Sequence, residues 1–167
     1  MSTIAIACVL VLKFSLPILI LRWPFQASWA NYVLDTLDGD VLMPLGLAPE
    51  TYQTWDKAAD WVTYVAMFVA GRRWEIRRTV TVLFALRSVG QFIYFATGND
   101  TVFFFFPNFL EPLFMIYAFL RFRDEQRAHE QYRRHWLLVW SIVVLYKVWN
   151  EWNIHVARID LSELIFG

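Results

Sequence analysis

The amino-acid sequence predicts an all-α polytopic membrane protein: a compact bundle of five transmembrane helices with an acidic, partly amphipathic outer segment between helices 1 and 2. Three observations predict it. Of 167 residues, 58% are hydrophobic and only 18% charged, with a mean hydropathy of +0.40; soluble domains run near a quarter charged. The apolar residues gather into runs near the ~20 residues that a helix needs to cross a bilayer. Arginines concentrate in two short loops, as they do on the cytoplasmic side of membrane proteins.

The same composition excludes a disordered chain and a nucleic-acid-binding tail. Cys8 is the only cysteine, which rules out an intrachain disulfide and a dithiol redox pair. Residues 1–167 read as a single integral membrane domain.

Taken in order, the first span covers about 3–21 and carries Lys13 within it. It reads as a retained span: its start lacks the positive charge of a signal peptide, and Lys13 interrupts the apolar run. Residues 22–55 form the outer segment, with Asp35, Asp38, Asp40 and Glu50. Pro24 to Leu37 is suited to an amphipathic helix lying on the outer leaflet. Pro49, followed by Glu50, suits the first turn of the next helix. Span two covers about 56–71, span three 79–97, span four 101–122 and span five 136–152. The cytoplasmic loops, 72–78 and 121–135, hold nine arginines against four carboxylates. This charge rule predicts an inner (cytoplasmic) membrane location, with the N-terminus cytoplasmic and the C-terminus outside.

Charges within the spans carry the functional reading. Ionisable groups in a bilayer are costly and face the bundle interior or a wet cavity. A rise of ~1.5 Å per residue from the cytoplasmic ends puts Asp60, Arg87, Glu111 and Lys147 at one depth, about 14–18 Å up. Asp56, Gln91 and Glu151 follow one turn further out, and Lys13 lies near the middle of span one. Asp56 and Asp60, Arg87 and Gln91, and Lys147 and Glu151 are i, i+4 pairs, so each pair shares a helix face. Asp56, Asp60, Arg87, Gln91, Glu111, Lys147 and Glu151 are therefore the candidate ligand-binding residues. The reading is an outward-facing polar site for a small amphipathic or anionic, lipid-like ligand. Arg87 and Lys147 would clamp a head group.

Asp35, Asp38 and Asp40, in DTLDGD, are candidate metal ligands because hard divalent cations take clustered carboxylates. His155, one turn beyond Glu151, is a candidate ligand for a transition metal. A divalent cation is thus the one candidate cofactor, its identity unknown. The expected partners are membrane lipids, and either a membrane protein complex or further copies of the chain; nucleic acid is not among them. An accessory subunit of a larger complex is the alternative function. Catalytic residues are unknown: Ser15, Ser88 and Ser141 lack a histidine at their depth to act as base.

Asp35, Asp38 and Gly39, followed by Asp56 and Asp60, resemble the D-x2-D-G and D-x3-D elements of the CDP-alcohol phosphatidyltransferases. The match covers about 26 residues, and its Asp38-to-Asp56 interval equals that of the family. Leu42 and Met43 stand where the family has Ala and Arg, and Tyr52 replaces the second Gly. Only one span precedes Asp35, where the family has two, and the family's site faces the cytoplasm. The resemblance implies a metal-dependent lipid-modifying enzyme as a further alternative. In size and tryptophan content the chain is also similar to tryptophan-rich sensory proteins, which implies an aromatic pocket from Trp61, Tyr64, Tyr94, Trp140, Trp149 and Trp152. The run Phe103–Phe106 is expected either as an exposed sticky patch before a helix that starts at Pro107 or as part of a kinked span. Trp23, Trp55 and Trp74 are expected at the interface.

Overall fold

The computed structural model describes residues 2–152. Its elements are α1 (Ser2–Leu19), α2 (Pro24–Leu42), α3 (Pro49–Gly71), α4 (Arg77–Thr97), α5 (Val102–Phe105), α6 (Leu110–Arg123), α7 (Ala128–Arg134) and α8 (Trp136–Glu151). No strand occurs among the described residues, so the all-α class holds.

Local chemistry explains most of the boundaries. Pro24 and Pro49 open α2 and α3, where a missing N–H costs nothing and φ is already helical. Gly98 closes α4 with φ at 67° and returns its N–H to Tyr94 O at 2.7 Å. Glycine takes that left-handed conformation without a Cβ clash. Asn108 starts α6: its Oδ1 accepts the Glu111 N–H at 3.2 Å, and its Nδ2 donates to Glu111 Oε2 at 3.1 Å.

The apolar core occupies the half of the bundle nearest the Arg-rich turns. Met67, Val80, Leu113, Phe114 and Tyr117 are buried there. Trp74 stacks on Phe114 at 4.6 Å and is itself buried, so it is a core residue rather than an interface one. Gly90 lets α5 approach α4: a Cβ there would stand 2.6 Å from Phe106 Cβ.

Several expectations change. The outer segment does not lie flat as a surface helix. It contains α2, 19 residues or roughly 28 Å long, which packs against α1, α3 and α6. The reason is its buried face: Ala27, Ser28, Asn31, Asp38, Gly39 and Leu42 are enclosed. One extra helix inverts the chain before it. The first turn of α2 lines one cavity with Trp74 and Arg121, whereas Lys13 meets Asp56 near the start of α3. Hence α1 begins at the end opposite the Arg-rich loops, not beside them, and Arg22 joins the arginines of 72–78 and 121–135.

The expected span 101–122 is broken. Residues 106–109 separate α5 from α6, and α6 has only 14 residues. The Phe run is not an exposed patch: Phe103 is fully buried, and of the four Phe105 is the exposed one. By length and composition, one described helix, Arg77–Thr97, is long and apolar enough to cross a membrane; Thr3–Leu19 and Trp136–Asn150 are apolar but shorter. The others fall short for physical reasons. α2 and α3 carry the interior charges, and α6 reaches about 21 Å.

Three cations face inward while large aliphatic side chains face outward along α1, α4 and α8. Lys13, Arg87 and Lys147 are 4%, 3% and 6% exposed, while Ile4 and Leu145 are each 71% exposed. Val11 and Ile18 on α1, Val82 and Phe92 on α4, and Leu137, Leu138 and Ile142 on α8 also face outward.

Candidate functional site

The charged residues of α1, α2 and α3 converge into one cluster. α1 carries Lys13 between the apolar residues Leu12 and Phe14, and its ammonium turns inward to carboxylates of α2 and α3. Lys13 Nζ lies 2.9 Å from Asp35 Oδ1 and 2.5 Å from Asp56 Oδ1, and it also donates to Asp38 Oδ2. Tyr52 Oη donates to Asp38 Oδ1 at 2.8 Å. Lys57 Nζ donates to Asp56 Oδ2 at 2.7 Å and sits 3.5 Å from Asp60 Oδ2. Aspartates and lysines therefore alternate from α2 across α1 to α3. The cluster opens at Asp35, whose side chain is 35% exposed, and closes at Asp38, whose side chain is 0% exposed.

Helix α4 joins this cluster through Gln91, whose Nε2 donates to Lys57 O at 2.9 Å. Arg87, one turn away, lies 4.1 Å from the ring centre of Phe103 and 5.5 Å from that of Tyr64. Its Nη1 donates to Phe106 O at 3.0 Å. A second, smaller pair lies between α6 and α8, with Lys147 Nζ 3.5 Å from Glu111 Oε2. Tyr32 and Tyr146 share a hydrogen bond at 2.8 Å between α2 and α8.

The expected polar layer is thus present in the interior, but it divides. Asp56 and Asp60 belong to the Lys13 cluster and Gln91 touches it. Glu111 and Lys147 pair with each other, and Arg87 is sandwiched between aromatic rings. The anion clamp is not offered, since Arg87 and Lys147 are turned to protein partners. Asp35 and Asp38 join the cluster, while Asp40 is exposed and apart. The side chain of Glu151 and the whole of His155 lie outside the described residues. Of the residues expected to line an aromatic pocket, Trp149 and Trp152 face outward among the described residues, and Trp140 Nε1 donates to Tyr132 Oη at 3.0 Å.

Among the residues that sequence reading did not place in the site are Lys57 and Tyr52; Asn108 was expected only as a local helix start, without its hydrogen bond to the Glu111 carboxylate. Lys57 was legible, because a residue three before Asp60 shares its helix face. Tyr52 was not, since its contact with Asp38 depends on how α2 packs on α3.

Asp35, Asp38 and Asp56 each bring an oxygen within 4.8 Å of the others, a spacing that suits a metal ion. The donor set does not fit one as it stands. The Lys13 ammonium already occupies the position between the three carboxylates, and a divalent ion there would meet like charge at contact distance. Outside the cluster, Trp61 Nε1, Ser88 Oγ and Gln91 Oε1 are buried without a partner along the α3–α4 contact.

At the opposite, Arg-rich end, Tyr117 Oη donates to Glu75 Oε2 at 2.7 Å and Arg121 Nη1 lies 3.5 Å from the same oxygen. The Tyr117 hydrogen bond, then a backbone hydrogen bond and the Arg121 charge, hold the Glu75 carboxyl below its ordinary value.

No protein-family model, curated protein or solved structure matches this chain.

Proposed function

We propose that the chain is an integral membrane protein that binds the positively charged head of a small amphipathic, lipid-like ligand at the Asp35 edge of its carboxylate cluster. The buried charges of Lys13, Arg87 and Lys147 and the large aliphatic side chains on the outer faces of α1, α4 and α8 support a membrane setting, since they match a hydrocarbon solvent along those faces. In this reading the Arg-rich end is cytoplasmic, and the cluster lies toward the outer face.

One observation carries the ligand class. Four aspartates (Asp35, Asp38, Asp56 and Asp60) share two lysines in the cluster, and the second oxygen of Asp35 has no partner among the described residues. A carboxylate that shares its cation with two others, and keeps one oxygen free at a partly open edge, is a site for an amine head group, with the tail along the apolar surface.

The test uses protein purified in neutral detergent and a long-chain alkylammonium as probe. Asp35→Asn is expected to abolish the probe-induced rise in melting temperature, while Asp40→Asn, exposed on the same helix, keeps it. An unchanged response in Asp35→Asn overturns the proposal.

A second reading has one observation in its favour: three aspartates of the phosphatidyltransferase-like pattern do meet. It requires Lys13 to leave them first.

A further inference from the structure

At the Arg-rich end the first turn of α2, the last turns of α6 and the loop residue Trp74 line an open cavity of about 340 Å³. That lies within the range of small-ligand sites, roughly 300–1,000 Å³. Three groups at its walls carry positive charge or partial charge. Arg22 is exposed, stacks over Trp23 at 5.8 Å and has no carboxylate partner among the described residues. Arg121 stacks over Trp74 at 5.5 Å and pairs with Glu75 and Glu125. The N-terminus of α2 contributes the third: Pro24 has no N–H, and the N–H groups of Phe25 and Gln26 find no partner among the described residues. Helix N-termini with free N–H groups attract anions. Glu125 is the one carboxylate on the wall, so Arg22 and the helix end leave the cavity net positive. An apolar side completes it, with Phe25 stacked on Phe122 at 4.8 Å and packed on Phe119.

We propose that this cavity binds a phosphate group, supplied by the head of an anionic amphiphile whose chain lies along Phe25 and Phe122. Arg22 and the first turn of α2 hold the phosphate oxygens, and Trp23 and Trp74 flank the head group. This site lies at the opposite end of the bundle from the Asp35 cluster, and the two proposals stand independently.

The experiment is native mass spectrometry of the detergent-purified chain titrated with phosphatidylglycerol, phosphatidylcholine or inorganic phosphate. One phosphatidylglycerol is expected to be retained, more tightly than phosphatidylcholine. Arg22→Gln is expected to weaken that retention about tenfold or more, the loss expected for one charge-assisted hydrogen bond. Arg22 is exposed, so this variant tests the site without disturbing the core. Arg72→Gln, a cation at the same end that does not line the cavity, is expected to bind as wild type. Binding of inorganic phosphate with the same Arg22 dependence assigns the site to the phosphate alone; failure of phosphate to bind assigns it to the whole lipid. Equal retention of the two lipids, or equal losses in the Arg22 and Arg72 variants, overturns the proposal.

Discussion

Replacing Lys13 with Met is the sharpest perturbation of this fold. The change removes the ammonium that bridges Asp35, Asp38 and Asp56, and it keeps the apolar stem that packs within α1. Asp38 is 1% exposed and retains only the Tyr52 hydroxyl as donor. Asp56 retains Lys57. Deleting one partner of a buried ion pair costs about 3–5 kcal/mol because the other charge stays buried. In a chain of this size, each kcal/mol moves the melting temperature by about 2–4 °C. The expected drop is therefore on the order of 10 °C. The assay is a thermal melt of wild type, Lys13→Met, Asp38→Asn and the double variant in the same detergent. The double variant should melt above Lys13→Met, since neutralising Asp38 removes much of the stranded charge. Manganese ion should raise the melting temperature of Lys13→Met more than that of wild type, because the vacated oxygens lie within 4.8 Å of one another. A Lys13→Met protein that melts within about 2 °C of wild type, a shift of under one kcal/mol, would refute the reasoning.

Three further predictions follow from other parts of the molecule. Gly90→Ala sets a Cβ 2.6 Å from Phe106 Cβ and should destabilise by about 1–3 kcal/mol, read by the same melt. Asn108→Ala removes both the acceptor for the Glu111 N–H and the donor to its carboxylate; the cost is about 1 kcal/mol, and α6 should show faster amide exchange at its first turn. Glu75 has a folded-state pKa below its unfolded one, so its contribution is present above the unfolded pKa and is lost as pH falls through the folded value. Between about pH 5.5 and 3.5, spanning the ordinary glutamate value, wild type should lose more stability than Glu75→Gln. The difference should be small, because Glu75 is half exposed.

The all-α class, the helix starts at Pro24 and Pro49, and the end of a helix at residue 97 are legible in the amino-acid sequence, as is an inward-facing position for the charges at Asp60, Arg87, Glu111 and Lys147. These features are local: proline and glycine act within one turn, and helical spacing assigns a face without reference to other helices. Hydropathy misread residues 22–55 because the three aspartates of α2 count against burial one by one, yet Lys13 compensates two of them from a different helix. Tertiary packing alone decides that α2 enters the bundle, that α1 consequently begins away from the Arg-rich loops, and that Arg22 lines one cavity with Trp74 and Arg121. It also decides which interior charges pair. Depth along a helix axis is readable from residue number. Partner choice depends on the rotation of each helix and on which neighbour it meets, and those are settled by how the buried faces of all the helices fit together.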